Sequence, residues 1–386
     1  MKVYLTTGKS VSIEVGELET TSASEIYLST NDNRDEVLDF LKMFGHKKSV
    51  LSPEYGLIQK ALHLTDKEAL HAVPKEKVSS RISDVVETLQ NVLRCTDNDE
   101  YLVTYLSIKR FLRELSAPLV CTQTLKSVMR ATEHKPTADR IAQLIPNDSG
   151  RPQKTCYNMV GSSTGRLTVK SGPQILTISS KARQSFRSEF KNGKVLQIDL
   201  ISAEPKIALQ VQGKKSPVDL YEYLSRHILE GKVSRKESKL ITLSALYGQS
   251  AANLKKILPE DVNANIVIRK TKDYFDSSYL ERTLKQSHRS RNLRNILGRP
   301  LNIPENDERL VVSYFLQSSA AEAAILMFSN WSAEHKDVAV PLYVIHDALI
   351  VDCNEELSSS LLQKKNIQLN VGDWSFDAKV TQVSNI

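Results

Sequence analysis

The segment Pro341-Leu-Tyr-Val-Ile-His-Asp-Ala-Leu-Ile-Val-Asp-Cys353 constrains this chain more than any other. Two apolar, β-branched runs, Leu342–Ile345 and Leu349–Val351, flank the polar pair His346-Asp347. Runs this short and this rich in Val and Ile read as two strands joined by a tight connection. A carboxylate at such a tip is held rigidly with one side open to solvent, which suits a divalent cation. An ordinary hairpin with Asp in its turn satisfies the same pattern, so other stretches must separate the two.

A second carboxylate has a similar setting. Lys194-Val-Leu-Gln-Ile-Asp-Leu200 reads as a buried strand ending at Asp199, and the chain then turns toward a helix that carries Glu204, five residues on. If the two strands are neighbours, Asp199 and Asp347 can share a pair of Mg²⁺ ions, hard cations that prefer such oxygen ligands. Two ions so held stabilise the attacking and leaving oxygens of a phosphoryl transfer.

A third stretch supplies cations. Ser234-Arg-Lys-Glu237 has the form of a capping box, and Gly248 stands where a glycine closes a helix. Between them Arg235, Lys239, Leu243 and Tyr247 recur every four residues and share one slowly winding face. Its N-terminal end suits a triphosphate, and Tyr247 suits a base. A solvated Arg/Lys face is the plainer reading.

Further stretches fit an anionic partner. Asn158-Met-Val-Gly-Ser-Ser-Thr-Gly-Arg-Leu167 allows close backbone approach at Gly165, with Arg166 placed for phosphate or a minor groove. Arg183–Phe190 is basic and aromatic. Residues 282–299 hold Arg282, Lys285, His288, Arg289, Arg291, Arg294 and Arg299, which fits a phosphate-backbone track or a solvated surface. Gln317 opens a small-residue helix running to Met327 and can reach a base edge. The net charge of +7 and pI of about 9.0 point the same way.

Before these stretches, residues 1–60 read as a small α/β unit. Val3–Leu5, Val11–Val15 and Ile26–Leu28 read as strands, and Asp35–Phe44 as a helix opened near Asn33. Ile82, Val85, Val86, Leu89, Val92 and Leu93 recur at helical spacing. After a break at Cys95–Glu100, Leu102, Tyr105, Leu106, Ile108, Phe111 and Leu112 begin a second helix, so the spacing predicts an antiparallel helical hairpin. Cys95, Cys121, Cys156 and Cys353 are scattered, which excludes a C-x-x-C zinc site and a disulfide framework and fits free thiols in a reducing compartment. The N-terminus lacks a signal-peptide core, and no apolar run reaches membrane-spanning length.

Taken together, residues 156–355 resemble the polymerase half of family A DNA polymerases, the bacterial polymerase I class. Asn158 to Arg166 is similar to the family's Asn-Gln…Thr-Gly-Arg-Leu element. Asp199 and Glu204 match motif A. Arg235, Lys239, Tyr247 and Gly248 match motif B, Arg-x3-Lys-x3-Phe/Tyr-x3-Tyr-Gly. Gly298-Arg299 resembles the Gly-Arg-Arg turn, Gln317 the Gln of Gln-Gly-Thr-Ala-Ala, and His346-Asp347 the His-Asp-Glu of motif C. The matches fall in the family's order.

The resemblance implies an α+β right hand of antiparallel-sheet palm, helical fingers and helical-hairpin thumb. It implies a small unit over 1–65, a thumb over 66–150 with its hairpin at 79–115, and palm and fingers over 151–386. The fingers would span about 210–300, and the palm 156–205 and 310–386. Asp199 and Asp347 would ligate two Mg²⁺ ions. Arg235 and Lys239 would grip the dNTP phosphates, Lys239 also protonating the leaving group. Glu204 would crowd the sugar 2′ position, Tyr247 would pack at the templating base, and His346 would steady the primer terminus or a phosphate. Arg166, Asn158, Gln317, Arg294 and Arg299 would contact primer-template DNA.

The chain also departs from the family. Leu243 replaces an aromatic that stacks on the nucleotide, Ala348 replaces the second carboxylate of motif C, Ala203 and Pro205 flank Glu204, and Ser318-Ser319 replace Gly-Thr. These departures bear on rate and fidelity. The short region before the palm predicts neither a 3′→5′ exonuclease nor a 5′ nuclease. The architecture suits a phage or other mobile element in a bacterial cytoplasm, with a processivity or replisome factor as a further partner and no membrane. Two alternatives stay open: a single-subunit RNA polymerase, and a non-catalytic nucleic-acid-binding protein derived from a polymerase.

Overall fold

A computed structural model describes residues 1–6, 12–18, 25–29, 35–48, 57, 61–62 and 73–383. Val11 and Asn33 lie outside the described residues. Two units emerge: Met1–Arg113 with Ile296–Asn302, and Glu114–Asn295 with Ile303–Ile386.

In the first unit, strands β1 (Lys2–Thr6), β2 (Ser12–Glu17) and β3 (Ile26–Ser29) form a sheet in the order β2-β1-β3, antiparallel to β2 and parallel to β3. Helix α1 (Val37–Met43) buries Val37, Phe40 and Leu41. Helices α2 (Lys75–Leu93) and α3 (Thr96–Glu114) occupy the two stretches that the spacing picks out, and Ile82, Val85, Leu89, Val92 and Leu93 are the buried positions of α2. The expected break at Cys95–Glu100 is shorter than its composition implied. Only Arg94 and Cys95 separate the helices, and Asp97 and Asp99 fill the first turn of α3. Carboxylates there face the positive helix end, so polarity marked a helix start and not a loop. Ion pairs join α1 to its surroundings: Lys109–Asp39 at 2.8 Å and Arg113–Glu36 at 2.5 Å.

The second unit is built on a five-stranded antiparallel sheet. Hairpin β4 (Cys156–Asn158) and β5 (Thr168–Ser171) stands apart from it. The sheet comprises β6 (Lys194–Leu200), β7 (Ala339–Ile345), β8 (Ala348–Cys353), β9 (Asn366–Val371) and β10 (Trp374–Gln382) in the order β9-β10-β6-β8-β7. β6 is central and buries Val195, Leu196, Ile198 and Leu200, as its apolar run requires. The main helices are α4 (Ala203–Gln210), α5 (Arg235–Leu246), α6 (Ala264–Phe275), α7 (Ser277–Arg289), α8 (Val311–Glu334) and α9 (Glu355–Lys364). Ile241, Ala245, Leu254, Val267 and Ile268 share one apolar cluster that packs α5 on α6.

Helix α8 lies against α4 and β9. It corrects two expectations. It begins at Val311, so Gln317 sits well inside it and not at its start. Residues 306–334 are also long and apolar enough to cross a membrane by length and composition, with a window of mean hydropathy 1.4. That window is 61% buried within the protein, as befits a core helix.

Candidate active site

Sheet register brings the two aspartates together. Asp199 on β6 pairs with Ala348 of β8 on one side and with Lys379 of β10 on the other. Ala348 also pairs with Ile345, so His346 and Asp347 form a two-residue turn. His346 has φ 55°, the sign that the first position of a type II′ turn requires. The carbonyl of Asp347 accepts the Leu200 N–H at 3.0 Å, which ties the turn to the strand bearing Asp199.

Both aspartates line one cavity of about 440 Å³, together with Arg166, Glu204, Tyr221, Lys239, Leu243, Gln317 and His346. Neither carboxylate has a hydrogen-bond or ion-pair partner among the described residues. Burial, then the neighbouring Asp347, pushes the Asp199 carboxyl up to about 6. Two unpartnered carboxylates side by side fit a bound divalent cation, which removes their mutual repulsion. No group of three or more His, Cys, Asp or Glu side chains suited to a metal occurs among the described residues. The protein would therefore supply two carboxylates and leave the remaining positions to water and phosphate, an arrangement that Mg²⁺ accepts.

Glu204 is held from two sides. Arg166 Nη2 lies 2.5 Å from Oε1, and the Tyr247 hydroxyl donates to Oε2. Burial and the Glu204 charge hold the Tyr247 phenol far above its ordinary value. Arg166 and Tyr247, both expected to meet DNA, thus lock Glu204 at the cavity wall. Tyr247 itself is not part of the lining.

The helix bearing Lys239 is closed at its N-terminus as its sequence predicts. Ser234 Oγ accepts the Glu237 N–H at 3.2 Å, and Glu237 Oε2 accepts the Ser234 N–H at 2.6 Å. Gly248 follows the helix with φ 69°, a conformation that glycine adopts freely. Lys239 and Leu243 line the cavity. Arg235 stands outside the lining, with Nε 2.8 and 3.1 Å from the two Asp219 oxygens. Burial raises the Asp219 carboxyl, but the Arg235 hydrogen bond and other contacts outweigh it, and the net shift is downward.

Tyr221 was missed by sequence reasoning. Its ring lies 5.7 Å from the Arg235 guanidinium and 6.0 Å from Lys239 Nζ. It braces both cations at the cavity edge, and burial pushes its hydroxyl up to about 12. No periodicity links Tyr221 to Arg235, so only the fold reveals the contact.

Three expected DNA contacts lie elsewhere. Asn158 Oδ1 accepts the Val160 N–H at 2.9 Å, so its amide shapes its own loop. A Cβ at Gly161 would sit 2.3 Å from Thr168 Oγ1, which explains a glycine there. Arg294 Nε reaches Asn292 Oδ1 at 3.3 Å, away from the cavity lining. Arg299 is only 3% exposed and belongs to the first unit, which corrects its reading as a surface phosphate contact. Much of the basic run is already paired: Arg289 with Glu308 at 2.7 Å and Lys285 with Glu281 at 2.7 Å.

Comparison with known proteins agrees with this arrangement. Residues 57–380 match the sequence model of DNA polymerase family A. Among solved structures, the POL domain of Pol1 from M. smegmatis, in complex with DNA primer-template and dNTP, resembles the chain with a TM-score of 0.63 at 15% identity. The likeness covers 91% of this chain and 81% of that one. No curated protein sequence matches. The family match takes in both aspartates and the helix bearing Lys239, so the chain belongs to DNA polymerase family A, the DNA-directed DNA polymerases.

Proposed function

We propose that this chain extends a DNA primer on a DNA template, adding deoxynucleotides to the 3′-hydroxyl by two-metal phosphoryl transfer. The observation that carries the reading is the meeting of Asp199 and Asp347 in one cavity with Lys239. In this reading the five-stranded sheet is the palm, α5 to α7 are fingers, and α2 with α3 is the thumb.

Asp199 and Asp347 would hold Mg²⁺, whose positive charge would lower the pKa of the primer hydroxyl and offset the triphosphate charge. Lys239 faces the departing pyrophosphate and donates a proton to it. Arg235, held by Asp219 and Tyr221, presents positive charge to the phosphates. Glu204, locked by Arg166 and Tyr247, stands against the sugar 2′ position and disfavours ribonucleotides. Leu243 offers an aliphatic surface where the family has an aromatic ring, so the incoming base gains contact without stacking. Gln317 and Arg166 face the newest base pair, and His346 steadies the primer end. Primer-template DNA and dNTPs are the partners, with a processivity or replisome factor as a further one. The reading places the enzyme in the cytoplasm of a bacterial or phage-infected cell.

The test is extension of a labelled primer with Mg²⁺, supplying dNTPs and NTPs in separate reactions. Extension with dNTPs, reduced at least ~10³-fold in Asp199→Asn and Asp347→Asn, is the expected result. Extension with NTPs alone moves the chain to RNA synthesis. Tight, salt-sensitive DNA binding without extension favours a non-catalytic nucleic-acid-binding role.

A further inference from the structure

We propose that Lys379 is a phosphate-binding residue of this site: its ammonium contacts the β- and γ-phosphates of the incoming nucleotide, and the pyrophosphate they become, from the sheet side of Asp199. The inference rests on the polymerase reading above.

The argument begins with register. Lys379 on β10 is the direct cross-strand partner of Asp199, so the two side chains leave the same face of the sheet. Ala348, the partner of Asp199 on the other flank, carries no charge. One row across the sheet therefore reads ammonium, carboxylate, methyl.

Other cations near this row are committed. Lys206 pairs with Asp377 at 2.5 Å. Arg183 Nη1 donates to Gln197 Oε1 at 2.9 Å, and its unpaired Nε is buried away from solvent. Lys379 is exposed and has no hydrogen bond or ion pair among the described residues. Lys239, braced by the Tyr221 ring, makes no hydrogen bond or ion pair among the described residues and bears on Asp199 from helix α5. Asp199 thus stands between two ammonium groups that no carboxylate neutralises among the described residues, one from the helix and one from the sheet.

An ammonium beside a metal-binding carboxylate weakens cation binding unless an anion lies over both. The most negative object in the reaction is the triphosphate, so the flank of Asp199 that carries the ammonium groups is its place. Asp347 lies on the opposite flank, at the turn, which leaves that side for the uncharged 3′-hydroxyl. In the reaction the primer 3′-hydroxyl gives up its proton to solvent as its oxygen forms a bond to the α-phosphorus, and the bond from that phosphorus to the bridging oxygen breaks. Pyrophosphate leaves with the bonding electrons. Lys379 stays protonated and transfers nothing.

The experiment compares wild type, Lys379→Ala and Lys379→Arg by three readouts: dNTP affinity on a dideoxy-terminated primer-template, KM for pyrophosphate in the reverse reaction, and Kd for primer-template. Lys379→Ala is expected to weaken dNTP and pyrophosphate about tenfold each, leave primer-template Kd within about twofold, and be largely rescued by Lys379→Arg. Unchanged dNTP and pyrophosphate affinities overturn the inference. So does a loss confined to primer-template Kd, which would assign Lys379 to the primer backbone. Wild type that binds neither dNTP nor pyrophosphate removes the polymerase reading and this inference with it. Wild type that binds both, with Lys379→Ala unaltered, removes this inference alone.

Discussion

His346 holds a left-handed backbone, which in a residue with a Cβ costs about 1–2 kcal/mol. The strain sits beside Asp347, and the turn it forms aims that carboxylate into the cavity. Replacing His346 with Gly relieves the backbone and removes the imidazole at once. His346→Gly is expected to raise thermal stability by about 0.5 kcal/mol while primer extension falls, read from melting curves and initial rates. Glu204 is the other residue whose environment implies a task. Clamped by Arg166 and Tyr247, it would stand fixed against a 2′-hydroxyl in the proposed reading. Glu204→Ala should reduce discrimination against ribonucleotides by about tenfold, and Tyr247→Phe by less, because the Arg166 contact remains. Equal use of dNTPs and NTPs by wild type and Glu204→Ala alike would remove Glu204 from that role.

Helix α5 depends on a reciprocal cap, and the cap fixes the end that carries Arg235 and Lys239. Ser234→Ala should lower stability by about 1 kcal/mol and raise KM for dNTP, with the primer-template Kd unmoved. Helix α1 shows a different balance. Asp35 accepts the Leu38 N–H at 3.1 Å, but burial, then Asp39, pushes its carboxyl from 3.8 to about 7. The folded chain therefore holds this proton more tightly than the unfolded chain. The associated stability is complete below about pH 4 and is lost as pH rises through 7. Asp35→Asn keeps the oxygen that caps α1 and removes the charge. It should raise stability at pH 8 by about 4 kcal/mol and leave it nearly unchanged at pH 4, read from melting curves at the two pH values.

For the whole molecule, elements with strong periodicity were legible: the hairpin at His346-Asp347, the strand to Asp199, the α2–α3 pair and the capped helix α5. Pairings across long separations were not. Arg166 meets Glu204 thirty-eight residues on, and Glu308 neutralises Arg289 from outside the basic run. A charge count sees neither contact. The net charge of +7 still predicts salt-sensitive DNA binding. Raising KCl from about 50 to 200 mM should weaken primer-template affinity by about 100-fold or more, measured by titration at each salt. The ladder that places Lys379, Asp199 and Ala348 in one row has a consequence for how such a gene can change. Side chains alternate faces along a strand, so one codon inserted between Lys194 and Asp199 turns the aspartate to the opposite face. Two codons restore its face and displace it by about 6.8 Å. The sheet acts as a parity check on length: odd insertions in β6 erase the site, and even ones leave it facing the cavity but out of step.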